Sequence, residues 1–218
     1  MIRLAVFDYD GTLVATEEIS ARQTMKRLSD AGVTFTKDDL AALSGSNGLI
    51  RSKIMDERFM NQEAYRSRKE SLWAYRPFDI PSLAAIASPH RYELMQFLRE
   101  QDIAIVIGTN SMSQRVADGL QEIGLGSFSI PIYSGYELGH SKPDPFLFTK
   151  AMEDYGVNGS ETVVFEDSKM GIQAAKQAGA RVIALKDAMG ISRQEEADVI
   201  IEDLQDAIDV IREWGVKR

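Results

Sequence analysis

Four short clusters of polar residues in this chain combine side-chain types that could do chemistry. The first, Asp8-Tyr9-Asp10-Gly11-Thr12, follows directly on the apolar run Ile2–Phe7. Carboxylates this close at the end of a buried strand repel one another, and a divalent cation between them removes that cost. Oxygen ligands of this kind suit Mg2+, and Gly11 allows an unusual turn where the chain leaves the strand. The same residues also read as an acidic loop opening a helix. The second cluster is Gly108-Thr109-Asn110-Ser111, after the run IAIVI. Its hydroxyls and amide could hold a phosphoryl oxygen or cap a helix. The third, Lys142-Pro143-Asp144-Pro145, puts a compact positive charge on a loop fixed by prolines. That charge could bind a transferring phosphoryl group and offset carboxylates, or it is a solvated lysine ahead of a capped helix. The fourth is Glu166-Asp167-Ser168 with Gly171 beyond it. These adjacent acids could complete a metal site or cap the next helix.

Such clusters act together only if the chain brings them together, and the surrounding pattern predicts that it does. Short apolar runs at Ile2–Phe7, Ile103–Gly108, Ile130–Tyr133, Thr162–Phe165, Arg181–Leu185 and Asp198–Ile201 read as strands. Runs apolar on both faces suit a parallel sheet covered on each side. Helical patterns alternate with them at Tyr92–Glu100, Gln114–Ile123, Pro145–Tyr155, Met170–Ala178 and Leu204–Trp214. The expectation is an α/β, doubly wound, Rossmann-like parallel sheet, with ligands gathering at the carboxyl ends of the strands. One region breaks the alternation. Glu17–Ala31, Lys37–Ser44, Leu49–Met60 and Gln62–Tyr75 read as helices with no strand between them, a longer insertion than one crossover needs. Pro77, Pro81 and Pro89 mark the return. The expected organisation is an α/β core of residues 1–16 and 88–218 with a helical insert of residues 17–87.

Composition narrows the function. The 218 residues carry 25 Lys plus Arg against 33 Asp plus Glu, a net charge of −8, with 44% hydrophobic residues. This is globular composition with enough chain to bury a core. No cysteine is present, which excludes disulfides, thiolate metal sites and a cysteine nucleophile and fits a reducing compartment. No stretch approaches the roughly 18 apolar residues of a membrane span. Met1 to Phe7 is too short for a signal peptide and runs straight into acidic residues. A cytoplasmic protein is expected, without membrane or nucleic-acid partners, because an anionic protein repels phosphate backbone. A small anionic substrate would need local positive charge, which a bound cation supplies. Oligomeric state is not encoded in these features.

Taken in order, the clusters resemble the four motifs of the haloacid dehalogenase-like superfamily of hydrolases, and the resemblance covers nearly the whole chain. The helical stretch after the first strand resembles the cap of its subgroup I. The resemblance implies a phosphoric monoester hydrolase that takes a small phosphorylated metabolite, such as a sugar phosphate. Asp8 would be the nucleophile that forms an aspartyl-phosphate, and Asp10 the general acid/base. Mg2+ would be held by Asp8, the Asp10 backbone carbonyl and Asp167, with Glu166 assisting through water. Thr109 and Lys142 would hold phosphoryl oxygens, with Asn110 close by. The family's dehalogenases lack an aspartate at the position of Asp10, so its presence favours phosphoryl transfer. Its phosphonate-cleaving members use a cap lysine; Lys26, Lys37, Lys53 and Lys69 are available, without a specific match.

The alternatives are a sugar phosphomutase resembling β-phosphoglucomutase, or a catalytically idle binding or regulatory relative. The mutases need a cap arginine near a Gly-x-Ser-Arg turn. Here the stretch is Gly45-Ser46-Asn47-Gly48, with Arg51 and Lys53 later. Ala15-Thr16-Glu17 stands where the subgroup often has Asp-Ser-Glu, and Ser134-Gly135-Tyr136-Glu137 resembles small sugar-phosphate phosphatases. Ser46, Asn47, Arg51 and Lys53 are the candidate cap contacts to substrate, although residues two apart do not share a helix face. His90 and His140 are expected at the surface, and Trp73 and Tyr75 within or beneath the cap. Against the idle relative, every catalytic position of the motif set is filled.

Overall fold

The computed structural model describes residues 1–46, 48–73 and 81–215; Asn47, Tyr75 and Pro77 lie outside them. The strands are β1 (Leu4–Phe7), β2 (Ala104–Thr109), β3 (Ile132–Ser134), β4 (Thr162–Glu166), β5 (Arg181–Leu185) and β6 (Val199–Ile201). They form one parallel sheet in the order β3-β2-β1-β4-β5-β6. β1 is central, and the strand order reverses around it, which is where such sheets open a crevice at their carboxyl ends. The expected strands are all present, Arg181–Leu185 with the same bounds and the others with boundaries moved by one or two residues. The third begins after Pro131, which has no N–H to give the ladder; its carbonyl accepts from the Ile107 N–H at 2.8 Å.

Between β1 and β2 run α1 (Thr16–Asp30), α2 (Lys37–Ala41), α3 (Gly48–Phe59), α4 (Glu63–Arg66) and α5 (Lys69–Trp73). These helices enclose their own apolar cluster, which includes Leu28, Leu43, Met55, Phe59 and Tyr65. The single helix expected over Gln62–Tyr75 is broken at Ser67. Its hydroxyl donates to the Glu63 carbonyl at 2.8 Å, a local bond that competes with helix continuation. Lys37–Ser44 is shorter than expected, and the chain turns after Ala41. The outgoing and returning chains pair beside the sheet: Ala15 N–H donates to Ile86 O at 2.9 Å and Ser88 Oγ to Thr12 O at 2.5 Å.

After the return come α6 (Arg91–Glu100), α7 (Ser113–Glu122), α8 (Gly135–Leu138), α9 (Phe146–Tyr155), α10 (Lys169–Gln177) and α11 (Ala207–Trp214). Alternation along β1 splits the core in two. Ala5 and Phe7 face residues of α6, α7 and α11, while Leu4 and Val6 face α9 and α10. Phe7 and Phe165 stack with ring centres 4.2 Å apart, locking β1 to β4. The central strands therefore end rigidly, side by side, at one edge of the sheet.

Candidate active site

Asp8 is the residue after β1, and its N–H donates to Phe165 O at 2.9 Å, so the ladder carries the chain up to the carboxylate. Lys142 arrives from the loop beyond α8 and is 2% exposed. Its Nζ donates to Asp8 Oδ1 at 2.6 Å, Glu166 Oε1 at 2.5 Å and Gly108 O at 2.7 Å. Asn110 fixes the lysine backbone from both sides. Its Oδ1 accepts from Lys142 N at 2.8 Å, and its Nδ2 donates to Lys142 O at 3.3 Å and to Gly45 O at 2.9 Å. Asn110 thus serves the loop and the helical insert at once. Thr109 is buried at the end of β2, with Oγ1 accepting from Ser111 N at 3.0 Å.

The ligand oxygens of Asp8, Glu166 and Asp167 lie within 4.8 Å of one another, and all three residues are buried. Among the described residues a single ammonium, that of Lys142, faces these carboxyls. Burial, ahead of the partial relief from Lys142, pushes the Asp8 carboxyl well above its ordinary range. Burial and then the Asp8 carboxylate do the same to Asp167. Burial alone would lower the Lys142 ammonium, but Asp8 and Glu166 outweigh it and hold it above the ordinary lysine value. The donor set fits a hard divalent cation. Asp167 Oδ1 is buried without a partner, and one ammonium stands against three carboxyls. Glu166 is less free, since Oε1 takes Lys142 and Oε2 accepts from Ser168 Oγ at 3.0 Å and from the N–H groups of Asp167 and Ser168. Two glycines make room for the cluster. A Cβ on Gly11, at φ +96°, would stand 2.1 Å from Asp167 Oδ2, and one on Gly171 1.9 Å from Glu166 Oε1.

Asp10 is directed away from this cluster. Oδ1 accepts from Thr16 Oγ1 at 2.6 Å and Arg115 Nη2 at 2.7 Å. Oδ2 accepts from Ser111 Oγ at 2.6 Å and Arg115 Nη1 at 2.8 Å. Burial alone would raise this carboxyl, but the Arg115 fork and the two hydroxyls outweigh it and hold it below the usual range.

These groups open on a cleft of about 540 Å3. Asp8, Asp10, Thr109 and Lys142 line its base; Glu17, Ser20, Ser46 and Arg51 line the side of the helical insert; Met112, Arg115 and Tyr136 line the rim. Arg51 turns inward, with Nη1 donating to Ser20 Oγ at 2.9 Å and its buried Nε without a partner. Lys53, two residues on, points to solvent, where it sits 3.9 Å from Glu57. His90 and His140 pair with Asp203 and Asp144 at the surface and do not line the cleft.

A sequence model of the haloacid dehalogenase-like hydrolases matches residues 5–185, from β1 through β5. The chain belongs to this family. It is 28% identical to a phosphoglycolate phosphatase of Pseudomonas syringae pv. tomato, over 93% of this chain and 77% of that protein. It is 24% identical to the pyrophosphatase PpaX of Oceanobacillus iheyensis, over 96% and 97% of the two chains. The crystal structure of a haloacid dehalogenase-like protein of unknown function from Agrobacterium tumefaciens superposes with a TM-score of 0.70 at 27% identity, over 98% and 99% of the chains.

In this haloacid dehalogenase-like hydrolase, motif spacing alone misses Arg115, Thr16, Glu17, Ser20, Met112 and the contact made by Ser111. Arg115 lies in the first turn of α7, four residues after Ser111, which stands outside the helix, so no helical period links the two in the sequence; the link is Asp10, which accepts from both.

Proposed function

We propose that this hydrolase is a Mg2+-dependent phosphomonoesterase for a small phosphorylated metabolite, a sugar phosphate foremost, working through an aspartyl-phosphate. The observation that carries the reading is Lys142, which holds the Asp8 carboxylate by one oxygen beside the buried acids Glu166 and Asp167. Asp8 attacks phosphorus while Thr109 and Lys142 bind the phosphoryl oxygens and Asn110 fixes the Lys142 backbone. Asp10 is the acid/base group of this reading: it would carry a proton to the leaving oxygen against the pull of the Arg115 fork, which holds its carboxyl low, and then take one from the water that opens the aspartyl-phosphate. Asp8, Asp167 and the Asp10 carbonyl would hold Mg2+, with Glu166 reaching it through water. When bound, the ion neutralises charge as it builds on the phosphoryl oxygens. Residues 17–87 act as a cap that closes over substrate, with Ser46, Asn47 and Arg51 as its contacts; Lys53, directed to solvent, contributes least. A protein at the cytoplasmic address expected from its composition would meet such metabolites there. Among the described residues no helix is long and apolar enough to cross a membrane.

The test is phosphate release from a panel of phosphorylated metabolites, with and without Mg2+, for wild type and Asp8→Asn. The expected result is Mg2+-dependent release that falls about 1,000-fold or more in the variant. Near-normal release by Asp8→Asn removes the covalent mechanism. Interconversion of sugar 1- and 6-phosphates without release favours the phosphomutase, the reading that the inward turn of Arg51 supports.

A further inference from the structure

Arg115 is held as surface arginines are not. Its guanidinium forks onto both oxygens of Asp10, Nη1 also donates to Ser111 Oγ at 3.0 Å, and the group lies over the Tyr9 ring, 5.6 Å from its centre. Its helix is anchored as well, because Glu137 accepts from both the N–H and the Oγ of Ser113 at 2.8 Å. These contacts use the inner edge of the guanidinium. Among the described residues no acceptor pairs with Nε or with the outer hydrogen of Nη2, which together form the second fork of an arginine. The side chain is 44% exposed and lines the cleft.

We propose that this outer fork of Arg115 is a specificity subsite for an oxyanion on the leaving group, so that the preferred substrate carries a carboxylate or second phosphate besides the phosphoryl group that is cleaved. The proposal rests on the phosphatase reading for the word substrate, but the subsite itself is a binding site. A planar fork matches a carboxylate or phosphate with two parallel hydrogen bonds. Because Asp10, Ser111 and the Tyr9 ring already fix the guanidinium, little side-chain freedom is lost when the anion docks. An anion docked there also sits beside the acid/base carboxyl, which is where the leaving group must be.

Binding tests this apart from turnover. Affinities of Asp8→Asn protein for two matched pairs are measured by calorimetry with Mg2+ present. The pairs are 3-phosphoglycerate against glycerol 3-phosphate, and 2-phosphoglycolate against 2-hydroxyethyl phosphate. Glucose 1,6-bisphosphate against glucose 6-phosphate tests a second phosphate. The carboxylate member of at least one pair is expected to bind about 30-fold tighter, and Arg115→Met, added to the same protein, is expected to reduce that ratio to about threefold or less. Arg115→Lys recovers only part of it, since an ammonium has no fork. If Arg115→Met does not fold, Arg115→Gln makes the same comparison. No carboxylate preference in either pair together with no preference for glucose 1,6-bisphosphate over glucose 6-phosphate, a preference undiminished by loss of Arg115, or one that disappears instead in Arg51→Met overturns the proposal. Oxyanion preference that depends on Arg115, in a protein whose wild type releases no phosphate, upholds the subsite and overturns only the phosphatase reading.

Discussion

Lys142 is the residue on which the arrangement depends most. Its ammonium is the one cation in contact with Asp8 and Glu166 among the described residues. Lys142→Met keeps the length of the side chain and removes the charge, which leaves buried carboxylates without a partner. Breaking a buried pair in this way costs about 3–5 kcal/mol. Without the ammonium, the Asp8 carboxyl rises further above its unfolded value, so the loss is smaller in acid and grows as pH rises through the neutral range. Thermal melts of wild type and variant without divalent ions should show that widening gap, and Mg2+ should narrow it by supplying charge to the same oxygens. A gap independent of pH would mean that Lys142 stabilises by packing on Phe148, whose ring centre is 5.4 Å from Nζ. At this scale the sequence was legible where chemistry is dense. Asp8, Lys142, Glu166 and Asp167 each follow a recognisable run and do converge. Arg115 was not, because an arginine on a polar helix face looks solvated until its partner across the sheet edge is known.

At the scale of elements, each cluster depends on a strand that ends on time and a helix that starts close by. Residue 171 shows how close. It lies in the first turn of α10, and its N–H donates to Ser168 Oγ at 3.1 Å. A Cβ there would enter the space of the Glu166 carboxylate, which cannot retreat because Lys142 and Ser168 hold it. Gly171→Ala should therefore lower stability by about 1–3 kcal/mol, the usual penalty for overpacking. Since the displaced group braces Lys142, turnover should fall as well. Stability by denaturant unfolding, read beside phosphate release, checks both. An unchanged melt would mean that α10 slides outward at no cost. The strands and flanking helices were legible from apolar runs and turn signals, since a buried parallel sheet writes itself in uninterrupted Val, Ile and Ala. The split at Ser67 was not, because a hydroxyl that bonds back one turn leaves the apolar period intact.

At the scale of the whole molecule, the helical insert is tied to the sheet at several points. Asn110 bonds Gly45, Arg193 pairs with Asp38 at 2.8 Å, and Ile191 packs on Leu40 and Ala41. Glu17 sits at this junction in a chain whose net charge is −8. Burial pushes its carboxyl up to about 7, against the pull of Arg51 and with a further push from Asp10. In the unfolded chain the same group titrates near its ordinary 4.5. Between those values the folded state keeps a proton that the unfolded state has lost. The contribution of Glu17 to stability is thus fully present below about 4.5 and disappears as pH rises through about 7. Glu17→Gln cannot titrate and serves as the reference. The stability of wild type relative to Glu17→Gln should fall by about 2 kcal/mol between about pH 5.5 and about pH 8, then level off. Denaturant unfolding of both proteins across that range, without divalent ions, measures the difference. A flat difference would mean that Arg51 keeps Glu17 ionised throughout, and the junction would then be an ion pair. A falling one would mean that the junction holds Glu17 in its protonated form, so that the folded chain gains stability from it on the acid side of neutrality.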